Sequence, residues 1–234
     1  MRPSLNVEIY SDVVCPWCYI GKRRFEAAVE QVADEVDVAI TYRPYQLDPS
    51  ALPGKSAPVI EAYAKKFGGP ERAAEIIAHV TSVAAADGIE FRMDRALRAN
   101  TLLAHRALHL AGEHGVQTQL KERLLRAYFT DGQDIGDLDV VAACAAEVGL
   151  DAAAARAYLS GDGGLSEVRE QLVEAAAHGI SAVPTFVFGG AWSVPGAQDV
   201  DVFVQVLRKM AQRQIDDAPE NDAPEHDAPE HDSV

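Results

Sequence analysis

Val7 to Gly21 reads V-E-I-Y-S-D-V-V-C-P-W-C-Y-I-G, and its two halves carry different periodicities. Counted from two residues upstream, Leu5 to Ser11 alternates apolar and polar side chains as a half-buried strand does. From Trp17 onward, Ile20, Phe25, Ala28, Val29 and Val32 return at roughly helical spacing. Cys15-Pro16-Trp17-Cys18 therefore falls where a strand hands over to a helix. A thiol at that point faces unpaired backbone N–H groups and the positive end of the helix dipole. Both favour a thiolate, the form that attacks disulfides. Pro16 suits an early helical position, having no N–H to lose and a preset φ. Cys15 and Cys18 are read as a redox-active pair that closes to a disulfide and opens to a dithiol.

Other uses of the cysteines fit less well. A structural zinc site needs four ligands, usually from a second C-x-x-C or a Cys/His pair. The one remaining cysteine, Cys144, lies in the alanine-rich run A-A-C-A-A-E-V, so no metal site is expected. A permanent disulfide closing so short a loop would constrain little of the unfolded chain. Cys144 reads as a small buried hydrophobe. No phosphate loop, H-E-x-x-H or serine-hydrolase elbow is present.

With 234 residues and 48% hydrophobic content, the chain can form one large domain or a domain carrying an insertion. No run of about eighteen apolar residues suggests a membrane span. M-R-P-S-L-N-V lacks an apolar signal segment, which leads us to expect a cytoplasmic protein. There a C-x-x-C is more often redox-active than a permanent staple. Net charge is −15, of which eight acids lie after Gln214 with no Lys or Arg, leaving −7 for the body. That balance argues against nucleic acid or anionic membranes as partners. The end of the chain repeats D-A-P-E-[N/H] three times from Asp217. Such a composition cannot form a core, so residues 215–234 are expected to be a disordered acidic tail. Its His226 and His231 are read as solvated, with at most weak metal contact.

Val36 to Arg43 alternates as a second strand, and 44–58 reads as a proline-rich loop. Helices follow at Pro58–Phe67, Pro70–Asp87, Asn100–His114, Gln117–Phe129, Leu138–Val148, Asp151–Leu159 and Leu165–His178, punctuated by glycines. Strand character returns at Pro184–Phe188 and Ala191–Val194, flanking Gly189-Gly190, and an amphipathic helix runs from Val200 to about Gln212. This order predicts an α/β, thioredoxin-like fold with a large all-helical insertion. The division is 1–56 with 180–214 for the thioredoxin-like domain and 57–179 for the insertion. Pro184 opens a strand, a place where proline forfeits no ladder hydrogen bond. A cis Val183–Pro184 bond would cost only about 0.5–1 kcal/mol. In thioredoxin-like folds this turn lies against the C-x-x-C, so Val183 can pair its backbone with an extended substrate.

V-E-I-Y-S-D-V-V-C-P-W-C-Y-I-G, R-A-N-T-L-L-A-H-R, S-A-V-P-T-F-V-F and G-A-Q together resemble the DsbA-like thioredoxin-fold family, in particular its FrnE-type branch. The similarity spans about Leu5 to Gln212. It implies that Cys15 is the nucleophile, Cys18 the resolving thiol and Pro184 the cis-proline, with the helical insertion as a lid. Trp17, Val183 and Pro184 are the expected substrate contacts, although Trp17 also serves as a plain apolar cap. The chain departs from secreted DsbA proteins in having no visible signal peptide. It departs from the strongly oxidising ones in placing Pro-Trp, without histidine, between the cysteines. Related motifs run from about −270 mV in thioredoxin to about −120 mV in DsbA. Reductase, isomerase and oxidase chemistry therefore all stay open.

The function expected is a cytosolic thiol–disulfide oxidoreductase acting on protein or small-molecule disulfides and thiols. It would use no bound cofactor beyond the Cys15–Cys18 disulfide, with a low-molecular-weight thiol as a candidate co-substrate; a homodimer stays open. The alternative is a kappa-class-like glutathione-dependent transferase or isomerase, which shares the insertion but typically has serine where Cys15 stands. A third reading is a peptide-binding chaperone without turnover. Tyr10, Asp12 and Tyr19 flank the dithiol as candidates for shaping the cleft, and Asp12 either relays a proton or ends the strand. Asn100-Thr101 reads as a helix N-cap and His105 as a satisfied helical histidine.

Overall fold

The computed structural model describes residues 2–216. β1 (Ser4–Ser11) is followed by α1 (Pro16–Gln31) and β2 (Asp37–Pro44), and β1 and β2 pair in parallel. Near the other end come the antiparallel strands β5 (Thr185–Phe188) and β6 (Trp192–Pro195), then α9 (Val200–Asp216). β5 pairs antiparallel with β1, giving one sheet of order β2-β1-β5-β6. The alternation read from Leu5 onward places Leu5, Val7 and Ile9 in the core beneath α1 and α9. Phenylalanines fasten that layer: Phe25 of α1 lies 5.0 Å from Phe186 and 5.2 Å from Phe203, and the latter two are 4.6 Å apart.

Between β2 and β5 the chain is mostly helical. α2 (Val59–Phe67) and α3 (Pro70–Ala86) pack on each other, followed by α4 (Leu102–Glu113), α5 (Gln117–Phe129), α6 (Leu138–Glu147), α7 (Ala152–Ser160) and α8 (Leu165–Ala177). These helices share a second apolar cluster with Val13, Tyr19 and Ile20, so α1 is buried from both sides. α4, α5 and α8 also contact β2, which explains why Tyr10, Ser11 and Tyr42 are buried at the strands' C-terminal ends where the alternation predicts one wet face.

A charged clamp locks α5 onto α1. Glu122 accepts hydrogen bonds from Lys22 at 2.6 Å and from Arg23 and the Tyr19 hydroxyl at 2.7 Å each. Lys22 is itself buried and also donates to Glu26. Despite partial burial, Lys22, the Tyr19 hydroxyl and Arg23 hold the Glu122 carboxyl below its ordinary range.

Three expectations need correction. The 44–58 loop is not wholly irregular: β3 (Ala57–Pro58) pairs with β4 (Leu97–Arg98) in a two-residue ladder. α9 runs through Asp216, so Ile215 and Asp216 are helical rather than tail. Thr101 precedes α4 without capping it; Asn100 Oδ1 accepts the Leu102 N–H instead, at 3.0 Å. The expectation for 217–234, with His226 and His231, lies outside the described residues. Among the described residues no helix is long and apolar enough to cross a membrane.

Candidate active site

Cys15 is the N-cap of α1, in an extended conformation, with Pro16 next at the first helical position. Its carbonyl accepts the N–H groups of Cys18 and Tyr19 at 3.0 and 3.3 Å. Both sulfurs belong to unbonded, buried thiols. Across from them the Val183–Pro184 peptide bond is cis, and the Cys15 S–H lies 3.7 Å from the Val183 carbonyl, which accepts it. Gly21 is what lets α1 come so close to this turn. A Cβ there would lie 3.0 Å from Pro184 Cγ and 3.3 Å from Ala197 Cβ. Trp17 points outward, 37% exposed, with its ring 6.2 Å from that of His79 on α3. The structure thus brings Cys15, Cys18, Val183 and Pro184 together, with Trp17 at their rim.

At Cys15 burial and the neighbouring thiol act against the helix terminus. The two thiols share protons, and the one on Cys15 is held more tightly. The neighbouring Cys18 sulfur, followed by burial, pushes Cys15 well up. Cys18 is drawn down against its own burial by the Cys15 thiol beside it, the charge of Lys121 and the nearby Ser11 hydroxyl. These effects loosen the proton on the inner sulfur relative to the one on the outer sulfur. Helix N–H groups favour the outer one only within the first turn, where the Val183 carbonyl and Asp12 oppose them.

The flanking candidates are mostly scaffolding. Asp12 is fully buried and accepts the N–H groups of Val13 and Leu47, both at 2.8 Å. His105 Nε2 lies 3.0 Å from the Tyr45 carbonyl and 3.3 Å from Asp12 Oδ1. A carbonyl only accepts, so Nε2 carries the hydrogen, and the pair ties α4 to the turn before the dithiol. The Tyr19 hydroxyl is committed to Glu122 and does not shape the cleft. Tyr10 pairs with Thr185 in the sheet register. The sequence reading missed Lys121, whose signal was present: it stands in register with Leu124, Leu125 and Tyr128 on the buried face of α5. Among the described residues no group of three or more His, Cys, Asp or Glu is placed to hold a metal.

Cys144 is 1% exposed within α6, and burial raises its thiol pKa. It is expected to resist maleimide in the native protein and to react at once in denaturant. Native labelling at the denatured rate would make it a third candidate redox thiol.

Residues 6–208 match the family model of the DSBA-like thioredoxin domain. The chain is 31% identical over 206 residues to the protein YwbO of Bacillus subtilis, covering 87% of this chain and 96% of that one. Its structure is similar to that of a probable DsbA oxidoreductase from Streptomyces coelicolor, with a TM-score of 0.81 and 36% identity over 88% of this chain and 89% of the other. The fold alone is shared with the cytosolic disulfide reductase DsbM of Pseudomonas aeruginosa, at a TM-score of 0.60 and 17% identity over 89% and 99% of the two chains. The chain belongs to the DSBA-like thioredoxin domain family. At that level it is a thiol–disulfide oxidoreductase, of a family that works through a redox-active disulfide rather than a bound cofactor.

Proposed function

We propose that this protein exchanges disulfides through Cys15 as nucleophile and Cys18 as resolving thiol, in a reducing, cytosolic compartment and within the FrnE-type branch. The observation that carries this reading is the pair of free thiols at the start of α1, with the Val183 carbonyl against Cys15. In the reducing direction the Cys15 proton passes to Cys18, and the Cys15 thiolate attacks a substrate disulfide. One substrate sulfur joins Cys15 and the other leaves as a thiolate that takes a proton from solvent. Cys18 then attacks Cys15, releasing the second substrate thiol and closing the Cys15–Cys18 disulfide. An extended segment would lie along Val183 and Pro184 with Trp17 as its apolar wall. Cys15 is only 3% exposed, a narrow approach that suits a small disulfide or an unfolded segment better than a folded surface. A low-molecular-weight thiol is a fitting co-substrate: DsbM has also been solved with GSH.

The test is trapping. Cys18→Ala is expected to accumulate mixed disulfides through Cys15, visible as reductant-sensitive mass additions, because the resolving sulfur is gone. Trapping through Cys18 in Cys15→Ala, and none through Cys15, would reverse the roles.

A further inference from the structure

Lys121 occupies a helix face that should carry no charge. It is fully buried, and its Nζ has no hydrogen-bond partner among the described residues. An ammonium buried without a partner strongly opposes folding. Rule-breaking groups of this kind are retained where function uses them. Two further buried polar atoms beside it, Ser11 Oγ and Tyr42 Oη, also lack partners. All three residues line one cleft of about 450 Å³ between β2 and helices α4 and α5, which reaches the surface at the exposed Glu113 and Gly115. Nζ stands 5.5 Å from the centre of the Tyr42 ring, a contact that holds a cation without neutralising it. Glu122, the neighbour of Lys121, accepts from Tyr19, the neighbour of Cys18, and from Lys22, so α5 meets α1 at the turn that carries the inner thiol.

We propose that Lys121 is a positioning residue for the resolving half of the reaction: its ammonium is the charge partner of the Cys18 thiolate, and Ser11 and the cleft carry the proton between Cys18 and solvent. This rests on the redox reading above. Once Cys15 has taken up a substrate sulfur, Cys18 holds the proton that passed to it. That proton leaves through the Ser11 hydroxyl to solvent in the cleft. The Cys18 thiolate, stabilised by Lys121, donates its electron pair to Cys15 Sγ. The Cys15–Cys18 bond forms, the Cys15–substrate bond breaks, and the departing substrate thiolate takes a proton from solvent. Of the other charged or titratable groups on this cleft, Arg43 pairs with Glu8, and His109 lies 3.7 Å from Glu113. Lys22 is engaged by Glu26 and Glu122, Asp12 is committed to two backbone N–H groups and His105, and His105 itself donates to Tyr45. Burial brings Lys121 down to about 8, while Cys18 and Asp12 pull it up. Oxidation removes the thiolate, so the disulfide form should hold the Lys121 proton less tightly than the dithiol form does.

Lys121→Met keeps the length and removes the charge. In a Cys15→Ser background, thiolate absorbance at 240 nm should show Cys18 titrating about one pH unit or more higher once Lys121→Met is introduced, equivalent to about a tenfold loss of thiolate. In the otherwise wild-type chain, the same substitution should slow decay of the mixed disulfide about as much at neutral pH, while the melting temperature should hold or rise. A merely structural lysine would lower the melting temperature and leave the Cys18 titration alone. A Cys18 titration unmoved by Lys121→Met overturns the proposal. The titration needs no turnover, so it separates this assignment from the redox reading, which the trapping experiment tests. Should the methionine variant not fold, NMR of lysine-labelled wild-type protein decides. The Lys121 signal is expected to titrate at lower pH in the disulfide form than in the dithiol form, and a titration blind to redox state overturns the proposal.

Discussion

Cys15→Ser is expected to reduce catalysed reduction of insulin disulfides to the uncatalysed rate, measured as insulin precipitation in the presence of dithiothreitol. The loss should be complete because each turnover passes through a sulfur–sulfur bond to Cys15 that a hydroxyl oxygen cannot form. Folding should survive, since a hydroxyl at Cys15 keeps the N-cap position and can still donate to the Val183 carbonyl. The same variant separates the glutathione-dependent alternative. In a kappa-type enzyme the reacting sulfur belongs to glutathione, and the side chain at this position need only donate a hydrogen bond. Wild type that conjugates glutathione to an electrophile, shows no insulin turnover and tolerates Cys15→Ser would overturn the oxidoreductase mechanism. The chaperone reading predicts something else again: suppression of aggregation that persists when both cysteines are replaced.

Arg106→Ala is expected to produce the largest loss of stability of any single polar truncation in the insertion. Arg106 is 8% exposed and donates to the carbonyls of Gly163 at 2.7 Å, Leu159 at 3.2 Å, and Tyr158 and Gly161 at 2.9 and 2.6 Å. These acceptors lie at the C-terminal end of α7 and in the turn that follows, where carbonyls lack intrahelical partners, although that of Tyr158 also accepts the Gly163 N–H, and a cation meets the negative end of the dipole. A carbonyl left buried and unpaired costs about 1–3 kcal/mol, so losing the fork should cost about 3–5 kcal/mol in all. For a chain of this size that corresponds to a drop of about 10 °C in melting temperature. Arg106→Lys should recover only part of it, because one ammonium cannot span four acceptors. An unchanged melting temperature would show that solvent replaces the guanidinium without penalty.

The elements of the sheet layer could be read from the chain because each obeys one strong local rule. Leu5, Val7 and Ile9 alternate; Phe25 and Phe203 lie on apolar helical faces; Gly189-Gly190 marks the hairpin. The pairing of Cys15 with Pro184 could be inferred from order along the chain and from family likeness. Side-chain to backbone contacts across long sequence separations could not. R-A-N-T-L-L-A-H-R was readable as a resemblance, yet its work lies in distant partners. Arg98 binds Asp48, Asn100 Nδ2 donates to the Ala51 carbonyl, His105 meets Tyr45 and Asp12, and Arg106 gathers the turn after α7. Nothing in the local periodicity says where such a side chain ends. The pull of Lys121 on Cys18 was illegible for the same reason, since the two lie more than a hundred residues apart in sequence.

Lys121 and Glu122 are adjacent in α5, and neighbours on a helix point about 100° apart. One side chain enters the cleft lined by Ser11 and Tyr42, while the other grips Lys22, Arg23 and Tyr19 on α1. A single turn of helix thus acts as both latch and tuning element. Grafting the insertion of a relative onto this sheet would not exchange an inert cover. It would reset the reactivity of sulfurs carried by α1, so chimeras between members of the family should inherit their redox character from the donor of the helices as well as from the donor of the cysteines.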